Sequence, residues 1–289
     1  MEEKNLSIST SSQKGSHTAL NAEQGTAEVN DVVSADGIRR HLTTDILGNR
    51  ILCLKVTDST NNDVKIAAQN REPEGLVVIA EEQTAGRGRF GRQFCSPKEQ
   101  GVYMSVLLRP KYEIKTAALI TAATAVCVAE AIEAVTTCEV KIKWVNDLFV
   151  NGKKACGILS EGAVKRESRK MEYVIVGIGI NISAEGLPAE LKSIAGGIAG
   201  ADKPQRNRLI AEILNRLEQR LLCLSPADFM DEYRKRSNVI GQRVTVLQGD
   251  RTESGMALGI DDRACLVVRM DSGEIRSLNS GEISCKVEK

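Results

Sequence analysis

The pair Asn151-Gly152, set between two apolar runs, places the firmest constraint on how this chain can fold. Asn-Gly tolerates positive φ at both central positions, which a two-residue type I′ turn requires. The flanking runs are therefore expected to pair as antiparallel neighbours, with the second arm over 154–160. Further β-branched, apolar runs predict strands at 51–56, 76–80, 102–108, 140–144 and 173–182. Helices are expected over 37–42, from a Ser59 N-cap to 69, and over 115–135, 204–224 and 226–236. This interleaving reads as an α+β fold, a mixed sheet with flanking helices.

After Asn238 the texture changes. Short strands are expected at 243–247, 255–260, 265–270 and 274–278, with turns at Asp261-Asp262 and Asp271-Ser272-Gly273. Their size and rhythm predict a small SH3-like β-barrel. Residues 1–35 are Ser-, Thr-, Asn- and Glu-rich and cannot bury enough apolar area to offset their ordering entropy. The expected organisation is a disordered polar tail over 1–35, a main domain over 36–238 and the barrel over 239–289.

Charge and rare residues exclude several function classes. Lys and Arg total 39 against 38 Asp and Glu, a net charge of +1. That balance argues against DNA or an anionic membrane as partner. The longest uncharged apolar run, 116–129, falls short of the roughly 20 residues of a spanning helix. Met1-Glu2-Glu3-Lys4 lacks the basic, then apolar, start of a signal peptide, so a cytoplasmic location is expected. The eight cysteines include no C-x-x-C pair and are expected to be buried, reduced thiols. His17 and His41 are the only histidines, which argues against a His-based triad or metal site; no metal ligands are expected. Chemistry must then fall to Lys, Arg, Asp, Asn and backbone groups.

Four stretches could carry it. In Gly86-Arg87-Gly88-Arg89-Phe90-Gly91-Arg92, guanidinium forks alternate with glycines, so the loop could fold over an anionic ligand. A solvated or nucleic-acid-binding loop would have the same look. Lys143-Trp144-Val145-Asn146-Asp147 ends a strand on a polar pair that could hold a cation or phosphate, or simply cap a turn. Gly177-Ile178-Gly179-Ile180-Asn181 invites a dinucleotide-binding reading, but it lacks the third glycine and the following helix. Its glycines more often mark a close ligand approach or tight packing. In Asp58-Ser59-Thr60-Asn61, helix capping accounts for Ser59 but not for Thr60 or Asn61.

In order and spacing these stretches resemble the biotin–protein ligase family, of the monofunctional type without an N-terminal DNA-binding domain. The matching segments are DSTN at 58–61, EEQTAGRGRFGRQF at 81–94, KWVND at 143–147, GKKACGIL at 152–159 and GIGIN at 177–181. The resemblance implies an ATP-dependent enzyme. It would join biotin and ATP into biotinyl-5′-AMP with Mg2+ present, then transfer biotin to a lysine of a biotin carboxyl carrier protein domain in a biotin-dependent carboxylase. It also implies the site. Ser59, Thr60, Asn61, Gln83 and Gly177 would contact biotin, and Gly86, Arg87, Gly88 and Arg89 would order over it. Lys154 would lie between the biotin carboxylate and the α-phosphate, beside the pocket-wall Gly157. Arg92, Phe94, Lys143, Asn146, Asp147 and Asn181 would lie near the nucleotide. Lys154, Arg89 and Asp147 would be catalytic.

Two departures stand out. Val145 replaces the proline usual in W-P-N-D, which removes rigidity but no chemical group, and Phe94 stands where a tryptophan is common. The residues before the match have the wrong composition for a winged helix. Two rivals stay open: a lipoate or octanoate ligase, and a non-catalytic adenylate- or nucleic-acid-binding module. Edge strands could pair two chains into a homodimer or dock the carrier.

Overall fold

The computed structural model describes residues 31–110, 117–165, 170–199, 204–221, 224–248, 251–279 and 281–285. Residues 1–30 of the expected tail lie outside this range, as do residues 115–116 and 222–223 of two expected helices. The chain is already engaged at Asp31, whose carboxylate accepts from the Arg206 side chain at 2.8 Å. The same guanidinium donates to Glu81 at 2.5 Å.

Seven strands build a mixed sheet: β1 (Arg50–Leu54), β2 (Leu76–Ala80), β3 (Gly101–Leu108), β4 (Lys141–Lys143), β5 (Asp147–Val150), β6 (Lys153–Val164) and β7 (Met171–Asn181). Their order is β1-β2-β3-β7-β6-β5-β4. Only β1 and β2 run parallel, because α2 (Thr60–Gln69) carries the chain between them; every other neighbouring pair is antiparallel. The β5–β6 turn takes φ of 50° at Asn151 and 75° at Gly152, as the Asn-Gly pair requires.

Period-2 alternation sends side chains to two cores. Val77, Ile79, Met104, Val106, Val176 and Ile178 face the larger one, beneath α3 (Ala117–Val135), α4 (Arg206–Leu221) and α5 (Met230–Arg236). Leu76, Val78, Leu107, Tyr173 and Ile175 face the smaller one, beneath α2. The short α1 (Ala35–Arg39) is capped by Ser34, whose hydroxyl accepts from the Gly37 amide. By length and apolarity alone, Ala118–Val135 would suffice to cross a membrane, yet 72% of it is buried here. A helix covered by the sheet on one side and α4 on the other has no polar face to keep. Cys127 and Cys156 are buried, but Cys53 is exposed; these and three further described cysteines are free thiols.

The C-terminal strands form a second sheet, but not the expected SH3-like barrel. Strands β8 (Arg243–Gln248), β9 (Arg251–Ile260), β10 (Leu266–Met270), β11 (Ile275–Leu278) and β12 (Glu282–Cys285) lie in the order β11-β10-β9-β8-β12. No ladder joins β11 to β12 among the described residues, so the sheet is open. Short strands and tight turns specify neighbouring hairpins; closure depends on strand tilt and stagger, which local rhythm does not encode. β12 was not foreseen. Trp144 ties the two sheets together by donating from Nε1 to Ala264 O at 2.8 Å.

Candidate active site

A cleft of about 1260 Å3 opens between the α2 face of the large sheet and the C-terminal sheet. Of the residues expected at the site, all but Gly86 line it. Gly86 is buried under the Arg-rich loop, where its carbonyl accepts from Phe94 N at 2.9 Å.

One end is an uncharged hydrogen-bonding wall. Ser59 occupies the N-cap position of α2 but makes no capping bond, so its buried hydroxyl faces other work. Asp58 organises this turn instead. It accepts from Ser59 N at 2.6 Å and Asn62 Nδ2 at 2.7 Å, and the Asn62 bond chiefly holds its carboxyl below the usual range. Gln83 Oε1 accepts from Thr60 N at 2.9 Å, and Gln83 Nε2 donates to Ser96 at 2.8 Å. Thr60 and Asn61 meet at Ser105, which is fully buried.

The glycines of β6 and β7 make room for side chains. A Cβ on Gly177 would stand 2.1 Å from Asn61 Oδ1, and one on Gly179 would stand 2.5 Å from the Phe94 ring. Gly157 faces Gly179 across the ladder, and a Cβ there would meet the same ring at 3.3 Å. The Phe94 ring is thus seated on the paired glycines, edge-on to Tyr103 at 6.4 Å. The choice left open by the sequence is tight packing, at these two positions.

The other end is polar and charged. Lys154 Nζ lies 2.8 Å from Asp147 Oδ1. The contact is an ion pair without hydrogen-bond alignment, since that buried oxygen accepts no aligned bond. Asn146 is locked by two bonds with Ile158: its Nδ2 donates to Ile158 O, and Ile158 N donates to Asn146 O, both at 3.0 Å. Tyr233 is buried, which pushes its phenol up, so it stays protonated and donates to Val145 O at 3.0 Å. The Trp144–Val145 peptide is cis. Asn181 Nδ2 donates to Gly196 O at 3.2 Å. Lys143 and Arg92 also line the cleft.

The Arg-rich loop spans both ends. Arg87 forks onto Glu161 at 2.9 and 3.0 Å. Arg89 donates to Asn146 Oδ1 at 3.0 Å and to Gly281 O at 3.4 Å, which places the loop between the two sheets. Sequence reasoning missed Ser105, Ser96, Glu161 and the wall supplied by Asn238, Met256, Gly281 and Ile283. Ser105 had a signal, a small polar side chain inside the apolar run 102–108. The C-terminal wall had none, because its approach is purely tertiary.

Similarity to known proteins agrees with this geometry. Residues 53–181 match the profile of the Biotin/lipoate A/B protein ligase family, and residues 239–286 match that of the Biotin protein ligase C terminal domain. The bifunctional ligase/repressor BirA of Bacillus subtilis is 35% identical over 260 residues, 87% of this chain and 78% of that protein. The biotin–[acetyl-CoA-carboxylase] ligase of Mycobacterium tuberculosis is 34% identical, over 73% of this chain and 81% of the relative. Among solved structures, the biotin protein ligase from Aquifex aeolicus in complex with biotin and ATP superposes with a TM-score of 0.70. It is 27% identical, covering 82% of this chain and 99% of that one. The two matched segments and the shared fold thus point to one group of enzymes, and this chain belongs to the biotin protein ligase family.

Proposed function

We propose that the chain activates biotin with ATP as biotinyl-5′-AMP and passes the biotinyl group to one lysine of a biotin carboxyl carrier protein domain. The observation that carries this reading is the junction, in one cleft, of the uncharged wall at Thr60 and Gln83 with the Arg89, Lys154 and Asp147 cluster. Biotin is an apolar bicycle with a urea at one end and a carboxylate at the other, and burying the urea unpaired would be costly. The Aquifex relative, whose structure holds biotin and ATP together, supports the same pairing of ligands.

In the first step a biotin carboxylate oxygen attacks the α-phosphorus, the bond to the β-phosphate oxygen breaks, and pyrophosphate leaves. Two anions must approach each other. Arg89 and Lys154 lower that repulsion, a term worth several kcal/mol when such cations are preorganised. Arg87 brings a further cation, paired with Glu161 as Lys154 is with Asp147. In the second step the carrier amine attacks the acyl carbon and AMP leaves. A free lysine has a pKa of about 10.4, so it needs a proton acceptor. Asp147 Oδ1, buried and without an aligned hydrogen bond, would take that role.

Magnesium fits the donor set as a phosphate-bound ion. Among the described residues no three His, Cys, Asp or Glu side chains cluster, so no all-protein cage is offered. Asp147 and the nucleotide phosphates would hold it, and it would supply neutralisation of phosphate charge. Strands β1 and β4 end the large sheet, and strand addition there would serve carrier docking or pairing of two chains. Consumption of ATP and the free thiols fit a cytoplasmic setting. The C-terminal match favours biotin over lipoate or octanoate.

The test is incubation with labelled biotin, ATP, magnesium and a carrier domain from a biotin-dependent carboxylase. Label on one carrier lysine, with AMP and pyrophosphate released, is expected. No biotin-dependent pyrophosphate exchange, or faster exchange with lipoate, would overturn the reading.

A further inference from the structure

The uncharged wall has a fixed donor–acceptor sense, and a residue outside the cleft lining sets it. Glu161 lies on β6 with Gly157 and Leu159 on the same face. An ionised carboxylate only accepts hydrogen bonds. Glu161 accepts from Asn61 Nδ2 at 2.8 Å and from both terminal nitrogens of Arg87. The Asn61 amide is thereby oriented, because the opposite orientation would turn Oδ1 toward a carboxylate.

The orientation propagates. Asn61 Oδ1 accepts from Ser105 Oγ at 2.6 Å. A hydroxyl has one proton, so Ser105 can then only accept from Thr60 Oγ1, which lies 2.7 Å away. The other polar neighbour of Thr60 Oγ1 is Gln83 Oε1, a longer 3.2 Å away and itself an acceptor. The Thr60 proton is committed to Ser105, and the hydroxyl can offer the cleft only lone pairs. A wall built this way takes an N–H.

Resting on the ligase reading, we infer that Glu161 is a positioning residue: through Asn61 and Ser105 it makes Thr60 an acceptor for a ureido N–H, and through Arg87 it clamps the loop over that end of the ligand. The carboxylate touches neither the substrate nor the reacting atoms. Its replacement should change recognition of the urea while leaving the nucleotide end intact.

The experiment measures pyrophosphate exchange by the full chain, with biotin and with biotin methylated at a ureido nitrogen. In Glu161→Gln the residue can donate as well as accept, so the relay can reverse. The KM for biotin should rise about tenfold or more. The preference for biotin over the methylated analogue should fall by a similar factor, while the KM for ATP and kcat at saturating biotin stay near native. A purely structural role would move both KM values and kcat together, and that result would overturn the inference. Native biotin KM and native discrimination in Glu161→Gln would overturn it as well. Ser105→Ala cuts the relay without touching Arg87 and loses only one oxygen. It should lose the same discrimination, and if it keeps it the relay is refuted even should Glu161→Gln fail to fold. Wild-type protein with no biotin-dependent exchange would sink the ligase reading, and this inference with it; active wild type with unaltered variants would sink this inference alone.

Discussion

Lys154 Nζ stands 2.8 Å from Asp147 Oδ1 across adjacent strands of the large sheet, with both side chains only partly exposed. Each neutralises the other until substrate arrives, so the site holds a cation and a carboxylate ready without a large net charge. Lys154→Ala should reduce pyrophosphate exchange by about 10²–10³-fold. It also strands a buried carboxylate oxygen, so a lower Tm should accompany the loss. Near-native exchange in this variant would remove Lys154 from the first step.

Asp147→Asn tests the second step by itself when the adenylate is supplied preformed. The amide keeps the size of the carboxylate but cannot take a proton. Transfer from preformed biotinyl-AMP to the carrier should slow by about 10²-fold. A single-turnover assay reads this directly, and a native transfer rate would end the proton-acceptor role.

The two β7 glycines should report on different ends of the cleft. A Cβ at Gly177 collides with Asn61, whereas one at Gly179 collides with Phe94. Gly177→Ala should raise the KM for biotin, and Gly179→Ala the KM for ATP, each by roughly tenfold with the other constant less affected. Equal effects on both constants would mean that the sheet, not the side chain above it, has moved.

Arg89 ties the loop to Asn146 and to the C-terminal sheet at Gly281. Arg89→Gly removes both bonds and should let the reactive adenylate escape. Biotin labelling of lysines on a bystander protein should rise, measured against labelling of the carrier. Unchanged bystander labelling would show that the loop does not seal the site.

Acid should loosen the contact between α3 and α5. Arg236 donates to both Glu133 oxygens, at 2.6 and 2.9 Å. Burial acts to raise the Glu133 carboxyl, but the bonds from Arg236 and from Val140 N outweigh it and hold it below its ordinary 4.5. A depressed carboxyl adds stability above its unfolded value and loses it as the pH falls through the folded one. Tm should therefore drop as the pH is lowered below about 4.5. Glu133→Gln should have a lower Tm near neutrality and a shallower acid decline; parallel curves would exclude the pair as a cause.

The strand and helix pattern of the large sheet was legible because it rests on local physics. Asn151-Gly152 favoured one kind of tight turn, and the continuous apolar run in 102–108 marked a strand, which the structure buries on both faces. The site residues were legible through resemblance, since Thr60, Gln83, Lys154 and Asn181 are separated by long stretches of chain and nothing local unites them. Capping was the ordinary explanation of Ser59, and it failed because Asp58 took the turn's bonds instead.

What the sequence determined by itself was most of the elements, the sense of their pairing at the hairpin and the chemical groups available, because dihedral preference and periodicity act over a few residues. Only the tertiary structure decided that the C-terminal sheet stays open, that its residues wall the cleft, and that Glu161 reaches Thr60 through Asn61 and Ser105. Closure, inter-sheet approach and the direction of a hydrogen-bond chain depend on where distant backbones settle against each other. No run of neighbouring side chains carries that information.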